Sequence, residues 1–544
     1  MNRTRDAIPL VLAAGLLPLC TYLTSRSVDF MSYPWFPNRT DWPDLFLYGK
    51  SRMLMALGLV MACLLLWHWI HGNLKRPGKE FLLWAVLAGL FVASTAASEY
   101  PGYSLSGNIE QYESVGVLLS YLILGFYAYE YTVCGGSMKP IRKALGAGAA
   151  LLCLVGVVQL LQYVRNPEEW KGVYLTLYNP NYAGIYLVMV LPLLWICGGK
   201  KERILAGTGT LLLLATGSGT AIVAGGILLL VGLYLFRKPE NGKSKAGKLL
   251  AIPAVLLMVG ICIWNLSGMA GELPEEIPLE QVETHADSVS LVYRGIPISF
   301  SYEITETGNP KQIVRYGDGT PVPLSWSEDR GECDPEDEAL EGLYFKVYRK
   351  DDIYYIQFRC RNAVFRFTDS LGTGKYEYVS VYGKTDELAE AEAAFQGGER
   401  FLTGRGYIWS RILPLIKNHF LLGTGPDTFM LVFPQNDYVA RARLGGEFYR
   451  NILTNAHSLY LQLALQNGVP ALFCLLLLVG DYLKKNLFRC KKGKLTDEKS
   501  RFGAAMMLSI TGYLICGFTW ASSVCTTPLF WLLLGLGKGR NQEI

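Results

Sequence analysis

Between positions 405 and 457 the chain gathers Arg405, Arg411, Lys417, Arg441, Arg443, Arg450 and His457, directly ahead of an apolar run. A guanidinium is a planar fork that matches two phosphate oxygens, so such a set at a membrane surface suits a diphosphate or another multiply charged anion. The same residues could instead meet lipid headgroups and pair with Asp427, Asp437 and Glu447, where each exposed pair is worth little. His457 stands in Asn455-Ala456-His457-Ser458, just before Leu459–Leu465. Imidazole titrates near neutral pH and is fitted to take a proton from a hydroxyl; the plainer alternative is a polar residue opening a helix. His68 and His71 lie at the end of an apolar run, and His285 and His419 have no suggestive neighbours. No CxxC or Cys/His spacing points to a metal, so neither metal nor cofactor is expected.

The elements that must hold these residues follow from composition. Of 544 residues, 51% are hydrophobic and 18% charged, with a mean hydropathy of +0.23, against roughly 25% charged in soluble domains. Collagen-like, disordered and small disulfide-stapled classes are excluded. Apolar runs lie near 7–24, 53–70, 81–97, 115–133, 144–164, 181–198, 203–216, 219–236, 248–267, 468–484, 503–519 and 522–537. Most approach the ~20 residues that cross a bilayer, giving about twelve transmembrane helices. The tight pairs 203–236 and 503–537 are short for two crossings each, which sets ten as the lower bound. The first run follows Arg3 and Arg5 like a signal peptide but lacks a small-x-small cleavage site, so an uncleaved helix is expected.

The formal charge of +5 is the sum of two opposite bodies. Residues 268–400 hold 26 acidic and 13 basic side chains, a net of −13, which leaves +18 elsewhere. With the N-terminus inside, the inside segments collect 26 Lys and Arg and the five short outside loops only 6. Both termini are therefore expected in the cytoplasm and residues 268–456 outside it. Within that stretch, Ile356, Phe358 and Cys360 alternate with Gln357, Arg359 and Arg361, the pattern of a half-buried strand. Leu343–Arg349, Ala363–Thr368 and Tyr376–Tyr382 behave alike, so 285–384 reads as a small β-sandwich or jelly-roll-like module. Cys333 and Cys360 could pair there in an oxidising space. Residues 385–400 read as a short helical linker, and Tyr407–His419 as an amphipathic helix. Tyr and Phe in the strands could bind glycan, but core packing accounts for them equally well.

Four stretches then fall into a known order: Thr403-Gly404-Arg405-Gly406-Tyr407-Ile408-Trp409; Lys417–Phe429 with Gly423-Thr424-Gly425-Pro426-Asp427; Asn455-Ala456-His457-Ser458-Leu459-Tyr460-Leu461-Gln462; and Asn467-Gly468-Val469-Pro470-Ala471-Leu472. Together they resemble the core of the O-antigen ligase and polymerase family, and Tyr178-Asn179-Pro180-Asn181-Tyr182-Ala183-Gly184 resembles its NPN element at the start of a span. The resemblance implies an all-α polytopic membrane glycosyltransferase of the GT-C type, here with an inserted extracytoplasmic β-rich domain. It implies a polyprenyl-diphosphate-linked glycan donor (undecaprenyl diphosphate in kind), a glycan, lipid or cell-wall acceptor, and inverting, metal-independent displacement at the outer face of the cytoplasmic membrane. By that resemblance His457 deprotonates or orients the acceptor hydroxyl, and Arg405 holds the diphosphate as leaving group. Arg411, Arg441, Arg443 and Arg450 are further candidates for the diphosphate, and Asn179, Asn181 and Asn455 for substrate contact.

This chain departs from the pattern in three places. Thr216-Gly217-Ser218-Gly219-Thr220-Ala221 lacks the Arg that the family carries after its seventh span, for which Arg441, Arg443, Arg450 or Arg165 are possible substitutes. Gln466 stands for the usual Glu and Phe420 for the usual Pro. The expected organisation is a first bundle over 1–267 with about nine spans, the acidic insertion 268–400, an Arg-rich catalytic loop 401–456, and a last bundle 457–544 with about three spans. The alternative function is a transporter or flippase of lipid-linked glycan. It would call for charged groups at mid-bilayer and internal repeats, whereas most runs are bare of ionisable residues. A sensor ranks last, the longest inside loop being too short for an output domain. No nucleic-acid partner is expected.

Overall fold

The computed structural model describes residues 4–74, 80–169, 171–235, 276–369, 373–446, 448–492 and 498–541. The membrane-type part begins with α1 (Ile8–Gly15), α2 (Tyr48–Ile70), α3 (Glu80–Ala97), α4 (Pro101–Ser106), α5 (Val115–Val133) and α6 (Met138–Arg165). It continues with α7 (Pro180–Cys197), α8 (Lys200–Ala215) and α9 (Gly219–Leu235). After the strands come α10 (Phe401–Asn418), α11 (Phe429–Val432), α12 (Tyr438–Arg443), α13 (Leu459–Asn467), α14 (Val469–Lys492), α15 (Glu498–Cys516) and α16 (Thr527–Arg540). Among the described helices, α2, α5, α6 and α7 are long and apolar enough to cross a membrane, with shorter apolar stretches at Phe81–Ala97, Gly219–Leu235 and Ser500–Cys516. Eleven of the apolar runs overlap a helix, while the run 248–267 lies outside the described residues.

Two expectations about the runs need correction. The run 7–24 is not one helix: α1 stops at Gly15, a short 3-10 turn covers Leu17–Leu19, and β1 (Thr24–Ser27) follows. Pro18 has no N–H to continue an α-helix, which accounts for the break. The run 522–537 is helical only from Thr527, leaving 517–526 as an irregular loop that exposes Phe518 and half-buries Thr519, Trp520 and Ser522. Inside the bundle, α5 and α16 approach closely, as a Cβ on Gly535 would stand 2.0 Å from the carbonyl oxygen of Gly125. Close backbone approach at small residues is a usual way for apolar helices to gain contact in lipid.

The insertion is a sandwich of two antiparallel meanders. One sheet runs β3 (Leu279–Thr284), β4 (Val289–Tyr293), β5 (Ile296–Ile304), β6 (Pro310–Tyr316) in that spatial order. The other runs β7 (Leu324–Ser327), β8 (Glu332–Pro335), β9 (Leu343–Lys350), β10 (Ile353–Cys360), β11 (Ala363–Thr368), β12 (Glu377–Val379), β13 (Thr385–Asp386). The expected alternation is present: Ile356, Phe358 and Cys360 are fully buried, and Phe300 meets Phe345 across the two sheets at 4.9 Å between rings. Neighbouring strands are consecutive throughout, so the jelly-roll alternative, which needs crossovers, is corrected. The Cys333–Cys360 disulfide is corrected too. Both cysteines are free, and β9 runs between their strands, which separates them by about two strand spacings of 4.8 Å, beyond disulfide reach. The stretch 387–400 carries no helix, contrary to the linker expected there.

The sandwich core also takes in Tyr438, Ala442 and Tyr449 from the Arg-rich segment. Tyr449 Oη accepts from the Val364 N–H at 3.1 Å, and Tyr438 Oη donates to Asp386 at 2.7 Å. On another side the loop ahead of β2 (Asp41–Asp44) meets the β12–β13 hairpin. Ser380 Oγ donates to the Pro34 carbonyl at 2.8 Å and Lys384 Nζ to that of Phe36 at 2.8 Å. The insertion therefore holds the Arg-rich segment from one side while the bundle holds it from the other.

Candidate active site

Arg405 opens the regular part of α10. The three residues before it, Leu402 (φ 50°), Thr403 (φ 58°) and Gly404 (φ 89°), are all left-handed. A β-branched residue such as Thr403 pays for that conformation in strain, a cost that tends to persist where a side chain must be aimed. The turn folds the guanidinium back on its own loop, with Nη1 donating to Leu402 O at 3.0 Å and Thr403 Oγ1 at 2.8 Å. Nε donates to the carbonyl of Thr519 at 3.2 Å, and the guanidinium carbon lies 5.0 Å from the centre of the Trp520 ring. Burial pulls Arg405 down to about 10, still a cation at neutral pH.

His457 is left-handed as well (φ 45°), in the turn that leads into α13. Asn455 Oδ1 accepts from the His457 N–H at 2.9 Å, and Gln462 Oε1 accepts from the Ala456 N–H at 2.7 Å. Trp409 Nε1 donates to Ala456 O at 3.1 Å, so the turn is fixed from three sides. The imidazole meets the same Trp520 edge to face at 5.1 Å, and its Nδ1 is buried with no hydrogen-bond partner among the described residues. Burial, then the positive Arg405, push its pKa down to about 3, so the ring is neutral and its lone pair is unused.

Trp520 thus touches both candidate residues, and the 517–526 loop that carries it is tied to the bundle. Leu459 N donates to Gly517 O at 2.8 Å, Thr519 Oγ1 lies 2.7 Å from Thr220 Oγ1, and Tyr182 packs edge-on against Trp520 at 6.0 Å. The 216–221 stretch that lacks the family's Arg therefore sits beside Arg405 through Thr519. Asn179 caps α7, its Oδ1 accepting from the Tyr182 N–H at 3.0 Å, and Asn181 lies half-exposed in the first turn. Asn179 and Asn455 both act here through the neighbours they orient.

The remaining arginines are placed differently. Arg411 is buried, pairs with Asp437 at 3.2 Å and Glu399 at 3.4 Å, and stacks on Tyr407 at 4.5 Å. Arg441 is 1% exposed and donates to the carbonyls of Gln435, Phe448 and Asn451, stapling the loop after α12. Arg450 stacks on Tyr449 and donates to its hydroxyl at 2.7 Å. Arg443 and Arg165 are exposed. Only Arg405 of the arginine set shares a ring with His457 among the contacts described. The Asp437 half of the hypothesised surface pairing is real, but it is a buried pair whose loss costs far more than a surface one.

Sequence reasoning passed over Glu113, which sits just before α5. Its carboxyl accepts from the hydroxyls of Tyr121 and Ser522. Its own N–H donates to Asp427 at 2.9 Å, as does that of Asn108 at 2.6 Å. Asp427 belongs to the Gly-rich stretch, and Gly425 there (φ 107°) packs so tightly that a Cβ would stand 2.3 Å from Ser98 Oγ. Burial lifts Asp427 well above the usual carboxylate range and Glu113 up to about 7. A carboxyl raised on folding stabilises the protein below its unfolded pKa of about 4.5, and that stability is lost as pH climbs through 7. Glu113→Gln, which mimics the protonated acid, is expected to remove this loss, raising stability at pH 8 by roughly 2–4 kcal/mol with little effect at pH 4.5. Thermal unfolding in detergent across pH 4.5–8 checks it; parallel wild-type and variant curves refute it.

Among the described residues no three His, Cys, Asp or Glu side chains gather as a metal site would require. No curated protein and no solved structure matches the chain. Residues 360–476, from the end of β10 to the first turns of α14 and including both Arg405 and His457, match the model of the O-antigen ligase family, whose ligase- and polymerase-type enzymes work in cell-surface glycan synthesis.

Proposed function

We propose that this membrane protein transfers a glycan from a polyprenyl diphosphate to an acceptor hydroxyl at the outer face of the cytoplasmic membrane. The observation that carries the reading is the packing of Arg405 and His457 on the one ring of Trp520, both residues falling within the matched segment. The acceptor oxygen attacks the anomeric carbon and its proton passes to the His457 imidazole. The bond from that carbon to the diphosphate oxygen breaks, and the diphosphate leaves with the electron pair, its charge met by Arg405. Attack from the face opposite the leaving group inverts the anomeric centre. A carboxylate nucleophile is not needed, because the acceptor oxygen itself attacks.

Burial, then the nearby Arg405, holds His457 neutral. A diphosphate seated on Arg405 cancels that positive field and makes the imidazole more basic at the moment a proton must be taken. The charge asymmetry of the inside and outside loops supports about twelve spans with both termini cytoplasmic and 268–456 outside. The −13 charge of 268–400 supports a donor seated at the membrane face and not on the sandwich.

The test uses the full chain in lipid nanodiscs with a polyprenyl-diphosphate oligosaccharide and a hydroxyl acceptor. Expected are the extended acceptor and stoichiometric release of polyprenyl diphosphate. Movement of intact donor across the bilayer with no release would replace this reading by a flippase.

A further inference from the structure

The loop between α4 and α5, residues 108–113, is buried over most of its length, and its bonds lead to the elements around Arg405 and His457. Glu110 (φ 69°) and Tyr112 (φ 54°) are left-handed, a strained conformation for residues with a side chain, of the kind kept where side chains must be aimed. Asp427 pins both ends, its Oδ2 accepting from the Asn108 and Glu113 N–H groups. Three side chains then reach outward. Glu110 accepts from the Trp42 indole at 2.9 Å and from the hydroxyl of Tyr178, next to Asn179. Gln111 Oε1 accepts from Gln462 Nε2 at 3.2 Å, and Gln462 Oε1 in turn accepts from the N–H of Ala456, next to His457. Glu113 accepts from the hydroxyl of Ser522, two residues beyond Trp520. Glu113 is 3% exposed and meets neutral hydroxyls there, a costly burial that an apolar residue of the same size would avoid.

Those bonds fix what the helices leave loose. Trp520 lies in an irregular loop and His457 in a left-handed turn, so neither takes its orientation from a regular helix. A misplacement of about 1 Å at a reacting group can cost about 10²-fold in rate. We propose that loop 108–113 is the positioning element of the transfer site: Glu113 holds the Trp520 loop through Ser522, and Gln111 holds the His457 turn through Gln462. Both links leave one short loop, so the ring beside Arg405 and the imidazole that takes the proton are set from a common base. The inference rests on the transferase reading and gives Glu113 and Gln111 no contact with substrate.

The experiment measures kcat, donor KM and the thermal midpoint of the full chain in lipid nanodiscs, with a polyprenyl-diphosphate oligosaccharide and a hydroxyl acceptor. Ser522→Ala and Glu113→Met cut the first link from either side. Each is expected to lower kcat about 10- to 10²-fold with donor KM nearly unchanged. Because both break one link, the double variant should be no slower than the slower single. Ser522→Thr and Glu113→Gln keep a hydrogen bond between the two positions and should restore most of the rate. Gln111→Met cuts the second link and should lower kcat by a similar factor; Gln111 Nε2 has no partner among the described residues, so only the bond to Gln462 is lost. Wild-type kcat in either Ser522→Ala or Gln111→Met overturns the proposal. So do losses that multiply in the double variant, that Ser522→Thr fails to restore, or that follow a falling thermal midpoint. If Glu113→Met folds poorly, the two Ser522 variants and Gln111→Met decide. Variants as fast as an active wild type remove this inference alone, whereas no release of polyprenyl diphosphate by the wild type removes the transferase reading beneath it.

Discussion

His457→Ala is expected to lower glycan transfer by about 10²- to 10⁴-fold, the usual contribution of a positioned general base. The imidazole makes no side-chain hydrogen bond through Nδ1, and the turn is held by Asn455, Gln462 and Trp409 through backbone groups. The variant should therefore fold, and lipid-linked donor should accumulate while surface polymer is lost. A finer signature lies in pH. In the free protein His457 is held down at about 3, so kcat/KM should show no acid limb near the ordinary histidine value of 6.5. Once the diphosphate covers Arg405, the limb should move upward, and kcat, which reports the bound complex, should fall at a higher pH than kcat/KM. Coincident limbs for the two parameters would argue that Arg405 does not set the basicity of His457. Wild-type activity in His457→Ala would end its role altogether.

What the sequence could and could not reveal follows from the kind of signal each residue carries. The long helices are legible because their apolar runs are uninterrupted, and strands such as Ile353–Cys360 because inward Phe alternates with outward charge. Arg405 and His457 stand out by type and order. Trp520, which brings them together, does not, because an aromatic inside an apolar stretch reads as one more lipid-facing or core residue. Its loop was hidden by the near-continuity of 503–537, which Gly517 and the Ser522-Ser523 pair interrupt only weakly. Glu113 did leave a signal: it is a carboxylate directly abutting an apolar run, where an ionisable group is costly and invites a functional explanation. The arginines show the opposite failure. Nothing in composition separates Arg411 and Arg441, which spend their donors on Asp437, Glu399 and backbone carbonyls, from an arginine kept for an anion. Only the third dimension sorts them: Arg405 also gives Nε and Nη1 to Leu402 O, Thr403 Oγ1 and Thr519 O, but among the described residues its Nη2 stays open and no carboxylate pairs with it.

Arg405→Lys keeps the charge and discards the fork, so it separates attraction from geometry. The native guanidinium is held at three points, by Leu402 O, Thr403 Oγ1 and Thr519 O, and its carbon lies 5.0 Å from the centre of the Trp520 ring. An ammonium on a flexible stem cannot meet all three acceptors and stack as well, so it would sit less firmly and offer a leaving diphosphate one contact where arginine offers two. Loss of a fixed donor to developing negative charge costs about 10²–10³ in kcat, and a reduction of that order is expected. Because Lys still attracts the anion, KM for the donor should change less than kcat. Arg405→Ala should raise donor KM as well, and should relieve the positive field that keeps the imidazole pKa low, moving the acid limb of kcat/KM upward in the free protein. Three readouts then bear on one residue. Normal kcat in Arg405→Lys would dismiss the bidentate contact, and an unmoved acid limb in Arg405→Ala would leave burial as the sole cause of His457's neutrality. Equal losses in Lys and Ala with unchanged donor KM would make Arg405 a brace for the Trp520 loop, with the diphosphate held elsewhere.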